Sequence, residues 1–381
     1  MTGSLQVKNG KFYIVLNYYE NGKRKPKWIC TGLPEKGNKR KAELLLREAL
    51  AENDRTLAGA PCNILFADYI RLWLKLAQSR VDTVTFQGYE LMTNAQVLPY
   101  FDNSGVKLNK VTREVLQAFF DEKASCGRKD GKGGLSPSSL RQYKNILNQT
   151  LNEAVKNQLI PSNPCQLVQL PRKEKYHSSY YNDTQLKALF EAIQDDPLEY
   201  LVKITALYGL RRSEVLGIQW DSIDFESGRL TIQHTVTKVT KAVAKDKTKN
   251  ASSYRSFPLS DEARNIFLVL KEEERSNRRL FGKEYQSNSY VFKWPDGHPF
   301  SPDYVTDHFT LLLKKHSLPH IRFHELRHSC ASLLINQGFT LKDVQEYLGH
   351  ADIQMTANIY GHLETARKQS LTNSLCGNLF L

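Results

Sequence analysis

The chain has 381 residues, too many for one ordinary domain and enough for two or three. Hydrophobic residues make up 40% of it, yet no stretch approaches about 18 consecutive apolar residues and the N-terminus carries no apolar signal core, which argues against a membrane-spanning or exported protein and for a cytoplasmic one. A net charge of +13 points to a polyanionic partner, most often nucleic acid, although a basic protein without such a partner fits the composition equally well.

Residues 1–57 read as a small β-rich unit followed by a helix. Leu5–Lys8 and Lys11–Tyr18 alternate around Asn9-Gly10, a strong hairpin signal, and Glu20-Asn21-Gly22 leads to a further strand at Lys27–Cys30. The helix spans roughly Lys39–Asn53, with Ala42, Leu45, Leu46, Ala49 and Leu50 on one face. Lys8, Lys11, Lys23, Arg24, Lys25 and Lys27 interleave with Phe12, Tyr13, Tyr18, Tyr19 and Trp28. A sheet with such a basic, aromatic face can enter a DNA groove; a solvated basic surface is the plainer alternative.

Ala58-Gly59-Ala60-Pro61 is a linker, and residues 62–165 form an all-helical domain. Its helices are Ile64–Ala77, Thr83–Tyr100, one beginning after Thr112 as N-cap, and one from Ser136-Pro137 to about Gln158. Arg141, Lys144 and Lys156 could meet phosphates, but a lone helical lysine is more often solvated. The polar segment 166–182 is an interdomain connector. The third domain, 183–372, starts with helices (Thr184–Asp195, Leu198–Tyr208) and continues with strands near Arg229–His234, Val239–Ala244 and Tyr254–Pro258. Helices complete it: Asp261–Arg275, Ser301–His316, His324–Gly338, Leu341–Leu348 and Met355–Tyr360. A tail, 373–381, closes the chain. The six cysteines stand far apart, without a C-x-x-C pair or a Cys/His cluster at zinc spacing, and read as reduced thiols.

Four segments of the third domain, taken in order, resemble the tyrosine recombinase (phage integrase) family. Gly209-Leu210-Arg211-Arg212-Ser213-Glu214-Val215 looks like its G-L-R-x-S-E-L motif. Arg211 then takes the place of the first catalytic arginine, Arg212 falls on the variable position, Glu214 sits where the family places a buried supporting carboxylate, and Ser213 can cap the following helix. Lys247-Thr248-Lys249 ahead of Arg255-Ser256-Phe257-Pro258-Leu259 is similar to K-T-K followed by R-x-x-P-L; Lys247 is the catalytic lysine by that pattern, with Lys249 an open alternative. His324-Glu325-Leu326-Arg327-His328 matches H-x-L-R-H, presenting His324 and Arg327 on one helical face. Leu348-Gly349-His350, then Tyr360-Gly361-His362, fits L-G-H followed by Y-x-H. Each piece alone has a bland reading: a surface arginine pair, a solvated lysine turn, a chance H-x-x-R, one packing tyrosine among 18. The ordered set is what carries the resemblance.

The resemblance implies a multidomain, mainly α protein: a small β-sheet-plus-helix N-terminal domain, a helical core-binding (SAM-like) domain and a mixed α+β catalytic domain. It implies cleavage and rejoining of DNA through a 3′-phosphotyrosyl bond to Tyr360. Arg211, Arg327 and His350 would stabilise the phosphate charge, Lys247 would protonate the leaving 5′-oxygen, and His324 would serve as base or proton shuttle. No cofactor or metal is expected. The expected partners are double-stranded DNA, at core and arm sites, and a homotetramer of the chain on that DNA. An excision factor and a host DNA-bending protein are candidate helpers; no membrane is involved. The basic N-terminal sheet looks like the arm-binding domains of phage and conjugative-transposon integrases, which favours a mobile-element integrase, and the leucine-bearing tail after Tyr360 is expected to pack on a neighbouring subunit. A type IB topoisomerase or a non-catalytic DNA-binding regulator would be the competing readings.

Overall fold

The computed structural model describes residues 2–20, 23–57, 63–128, 130–172, 179–238, 242–245 and 254–349. It divides into two compact units, 1–174 and 175–381. Of the sequence-based expectations, the linker 58–61, the turn residues Asn21-Gly22, Lys247, Lys249, His350, the Met355–Tyr360 helix, Tyr360 and the tail lie outside the described residues. Among the described residues, no helix is long and apolar enough to cross a membrane.

The first unit opens with an antiparallel sheet, β1 (Thr2–Lys8), β2 (Lys11–Glu20) and β3 (Lys23–Pro34). Asn9 and Gly10 have φ of 52° and 70°, the left-handed pair that a tight two-residue hairpin turn demands. Phe12 and Ile14 are buried and alternate with Tyr13, which faces the other way. Helix α1 (Lys39–Leu57) packs on the sheet, burying Ala42. Trp28 is left 46% exposed, with Tyr13 edge-on to its ring and the Lys8 ammonium 5.8 Å from its centroid. β3 is longer than the Lys27–Cys30 strand expected, because β2 pairs with it along most of its length.

Helices α2 (Phe66–Arg80), α3 (Thr83–Met92), α4 (Leu98–Ser104), α5 (Arg113–Cys126) and α6 (Pro137–Lys156) complete this unit. Thr112 and Ser136 cap α5 and α6 through their hydroxyl oxygens, and Pro137 takes the first turn of α6, as the sequence predicts. The single helix expected over Thr83–Tyr100 is instead interrupted by a π turn at Thr93–Val97. Pro99 has no N–H to donate and its ring crowds the carbonyl four residues back; the wider turn relieves both. Phe66, Phe101 and Phe119 lie in contact at the centre of the helices, with Leu116 and Leu147 also fully buried.

The second unit carries α7 (Asp183–Ala192), α8 (Glu199–Tyr208), α9 (Arg212–Val215), then β4 (Ile223–Asp224), β5 (Arg229–Ile232), β6 (Thr235–Lys238), β7 (Ala242–Lys245) and β8 (Arg255–Pro258). Helices α10 (Asp261–Phe281), α11 (Pro302–Lys315), α12 (Glu325–Asn336) and α13 (Leu341–Leu348) follow. The sheet order is β4-β5-β8, with β6 and β7 as a separate antiparallel pair; the expected strand Arg229–His234 ends early, at Ile232, and of the one expected at Val239–Ala244 the described residues, 242–244, lie in β7. His234 turns inward, its ring 3.0 Å from the Tyr290 hydroxyl, and its carbonyl lies so close to Gly217 that a Cβ there would sit 2.3 Å away. That packing ends one ladder and lets another begin. The core gathers Leu201, Ile204, Leu230, Phe267, Phe309 and Leu326, and α12 runs through it, burying Arg327, Ser329 and Ser332 as well as its apolar residues.

Candidate active site

The site is built where α8 ends. Gly209 adopts φ +58° and closes α8; a Cβ there would meet the Leu348 Cδ2 at 2.2 Å and the Cys330 Sγ at 3.2 Å. Only glycine lets α13 approach this corner. Its carbonyl accepts a hydrogen bond from the Arg327 Nη1 at 2.7 Å, while the Arg327 Nη2 donates to the Leu348 carbonyl at 2.6 Å. Arg327 is 1% exposed. Burial, and then repulsion from Arg211, pull its pKa down to about 9, which leaves it charged at neutral pH.

Arg211 leads into α9. The sequence suggests Ser213 as the cap of this helix, but Ser213 lies inside it, and the Glu214 carboxylate reaches back to accept the Arg211 backbone N–H at 2.9 Å. The same carboxylate accepts the Arg211 Nη1, and the Arg211 Nη2 donates to the Gly349 carbonyl at 3.2 Å. Glu214 is 1% exposed. Burial alone would raise its pKa; hydrogen bonds from Arg255 and the charges of Arg255 and Arg211 overcome that and hold it at about 2. Arg255, at the start of β8, presents both Nη atoms to the two Glu214 oxygens, at 3.2 and 2.9 Å, and lies over the Phe257 ring at 5.2 Å. Glu214 thus links two arginines, one of them open to solvent.

His324 immediately precedes α12. With Arg211, Arg212, Thr237 and Arg322 it lines an open depression of about 390 Å³. Its ring stays accessible from this depression, but desolvation by the surrounding protein, then the charges of His328, Arg327, Arg211 and Arg322, push its pKa down to about 4. It is therefore neutral at physiological pH and can accept a proton. His328, 5.3 Å away and nearly perpendicular, is also pushed down, chiefly by burial. Arg212, on the wall of this depression, donates to the Pro302 carbonyl and the Thr306 hydroxyl, tying α9 to α11. Lys238, at the end of β6, pairs with Asp303 at 2.7 Å.

Three of the six site residues expected from sequence, Arg211, His324 and Arg327, therefore converge. The other three, Lys247, His350 and Tyr360, lie outside the described residues. Arg255 is the residue that motif reading left without a role; a charged side chain at a strand position that must bury one face was the available signal. Arg211, Arg255 and Arg327 gather around a single hydrogen-bonded carboxylate, an excess of positive charge suited to an anion with several oxygens.

Models for the phage integrase family and for the phage integrase N-terminal SAM-like domain match residues 180–367 and 65–124. A "tyrosine recombinase XerC-like" protein of Caldanaerobacter subterraneus subsp. tengcongensis is 26% identical over 98% of each chain. The ICEBs1 integrase of Bacillus subtilis is 22% identical, over 82% of this chain and 83% of that one. The fold is similar to that of the Tn1549 transposon integrase in complex with transposon right end DNA, with a TM-score of 0.64 at 20% identity, covering 82% of this chain and 100% of that one. It is also similar to that of the lambda integrase tetramer bound to a Holliday junction, with a TM-score of 0.56 at 17% identity, covering 91% and 95%.

Proposed function

The chain belongs to the phage integrase family and is a tyrosine recombinase of the phage and conjugative-transposon type, which cleaves DNA and exchanges its strands, and from that premise we infer which residues carry each step. Arg211 and Arg327 bind the nonbridging oxygens of the scissile phosphate. Their forked donors suit those oxygens, and fixed cations stabilise the charge that builds there in the transition state. His350 adds one more hydrogen bond. The Tyr360 hydroxyl attacks phosphorus, forming a 3′-phosphotyrosyl bond as the bond to the 5′-oxygen breaks. Lys247 protonates that leaving oxygen, with Lys249 as the alternative. An unassisted phenol keeps its proton until about pH 10, so it needs an acceptor, and His324 takes that part. Attack by the 5′-hydroxyl of a second strand at the same phosphorus releases Tyr360 and joins the new partner. Bond energy is retained in the intermediate, so no nucleotide is consumed.

The observation that carries this reading is the Arg211–Glu214–Arg255 cluster beside Arg327 and a neutral His324. Around it we place a larger machine: a homotetramer on two duplexes, core sites held by the two larger domains, arm sites read by the Lys8–Trp28 face of the N-terminal sheet. Its task is insertion and excision of a mobile element in the cytoplasm, with an excision factor and a DNA-bending protein as candidate helpers. The test is covalent trapping. The chain is incubated with fragmented genomic DNA in EDTA, quenched in detergent, and the protein-linked fragments are sequenced, with Tyr360→Phe in parallel. Adducts at a few related sequences, absent in the variant, are expected. Adducts at scattered sequences would favour a relaxing topoisomerase, and adducts surviving in the variant would reassign the nucleophile.

A further inference from the structure

We propose that Arg255 is a positioning residue for Arg211: by neutralising Glu214 it leaves the Arg211 charge available to the scissile phosphate. This rests on the assignment of Arg211 to phosphate binding. The geometry separates the two arginines. The Arg255 side chain is 9% exposed and does not line the depression, whereas the Arg211 side chain is 30% exposed and does. Arg255 holds both Glu214 oxygens, whereas the Arg211 guanidinium holds one of them through Nη1 and sends Nη2 to the Gly349 carbonyl. Without Arg255, Arg211 and Glu214 would sum to zero charge, and the lone pairs that Arg255 occupies on the two oxygens would be open to the second arm of the Arg211 fork. With Arg255 in place the trio carries one net positive charge, and Arg211 is its solvent-facing member. Buried, turned to the carboxylate and absent from the wall of the depression, Arg255 acts through Arg211.

The experiment compares full-length Arg255→Gln, Arg255→Lys and Arg211→Ala on the duplex recovered by covalent trapping, made with either a phosphodiester or a neutral methylphosphonate at the scissile position. The rate of covalent adduct formation is read at saturating protein, with melting temperature alongside. On the phosphodiester, Arg211→Ala should slow cleavage by roughly 100-fold or more. On the methylphosphonate its loss should largely vanish, because the phosphorus centre carries one negative charge fewer throughout the reaction and needs one cation fewer. Arg255→Gln should show the same selective pattern, by about 10- to 100-fold. Arg255→Lys, which keeps the charge but not the fork, should fall between. Equal losses on both substrates for the Arg255 variants, or no loss on either, would overturn the proposal. If Arg255→Gln does not fold, Arg255→Lys decides by the same comparison. Should Arg211→Ala itself cleave the phosphodiester at the normal rate, the assignment of Arg211 fails first, and the proposal fails with it.

Discussion

Replacing Glu214 by Gln removes the carboxylate between Arg211 and Arg255 while keeping its shape. The carboxyl is held at about 2 against an ordinary 4.5, and it is 1% exposed, so solvent screens little of the interaction. At about 1.4 kcal/mol per pH unit, that difference corresponds to roughly 3 kcal/mol of folding stability at neutral pH. Breaking a buried ion pair by deleting one partner typically costs a similar 3–5 kcal/mol. The folded state binds fewer protons than the unfolded one between pH 4.5 and about 2. This stabilisation is therefore complete above pH 4.5, erodes as the pH falls, and is gone below about 2. The assay is urea unfolding of the full chain with Trp28 and Trp73 changed to Phe, so that fluorescence reports Trp220 and Trp294 of the second unit alone. Glu214→Gln should be about 3 kcal/mol less stable at pH 7, and the gap should narrow steadily toward pH 3. Equal stability at pH 7, or a gap that stays constant into acid, would refute the reasoning.

Two further outcomes follow from the same site. The His324 imidazole is held near 4 by desolvation from the protein around it and by neighbouring cations, so an anion seated on those cations should raise it toward its ordinary 6.5; a ring-carbon NMR titration with and without inorganic phosphate reads this, and an unmoved pKa would place the anion elsewhere. Gly209→Ala should destabilise the chain by about 2–5 kcal/mol, combining a left-handed backbone with a Cβ forced against Leu348 and Cys330. It should also slow DNA cleavage, since the Gly209 carbonyl anchors Arg327; unchanged melting and cleavage would contradict both claims.

The sequence made the local features readable. Asn9-Gly10, Thr112 and Ser136-Pro137 announce a turn and two helix starts by chemistry that acts within a few residues, and the structure has each of them. The motif arginines were legible because the G-L-R and H-x-L-R strings fix their position along the chain. Other features depend on residues far apart in sequence. Ser213 is a good cap by propensity, but Glu214 displaces it because two arginines, one from β8, hold that carboxylate at the helix start. The early end of the strand expected over Arg229–His234 depends on Gly217 and Tyr290, neither of which a local pattern includes. The π turn before Pro99 was foreseeable in kind, as a helix interruption, but not in form.

The acceptors at the end of α13 are main-chain atoms: the Leu348 carbonyl for Arg327 and the Gly349 carbonyl for Arg211. No substitution at either position can delete a carbonyl, so drift in side-chain identity leaves the anchors intact so long as α13 keeps its path. What inheritance must preserve here is a helix ending, in shape and distance, more than a particular pair of letters.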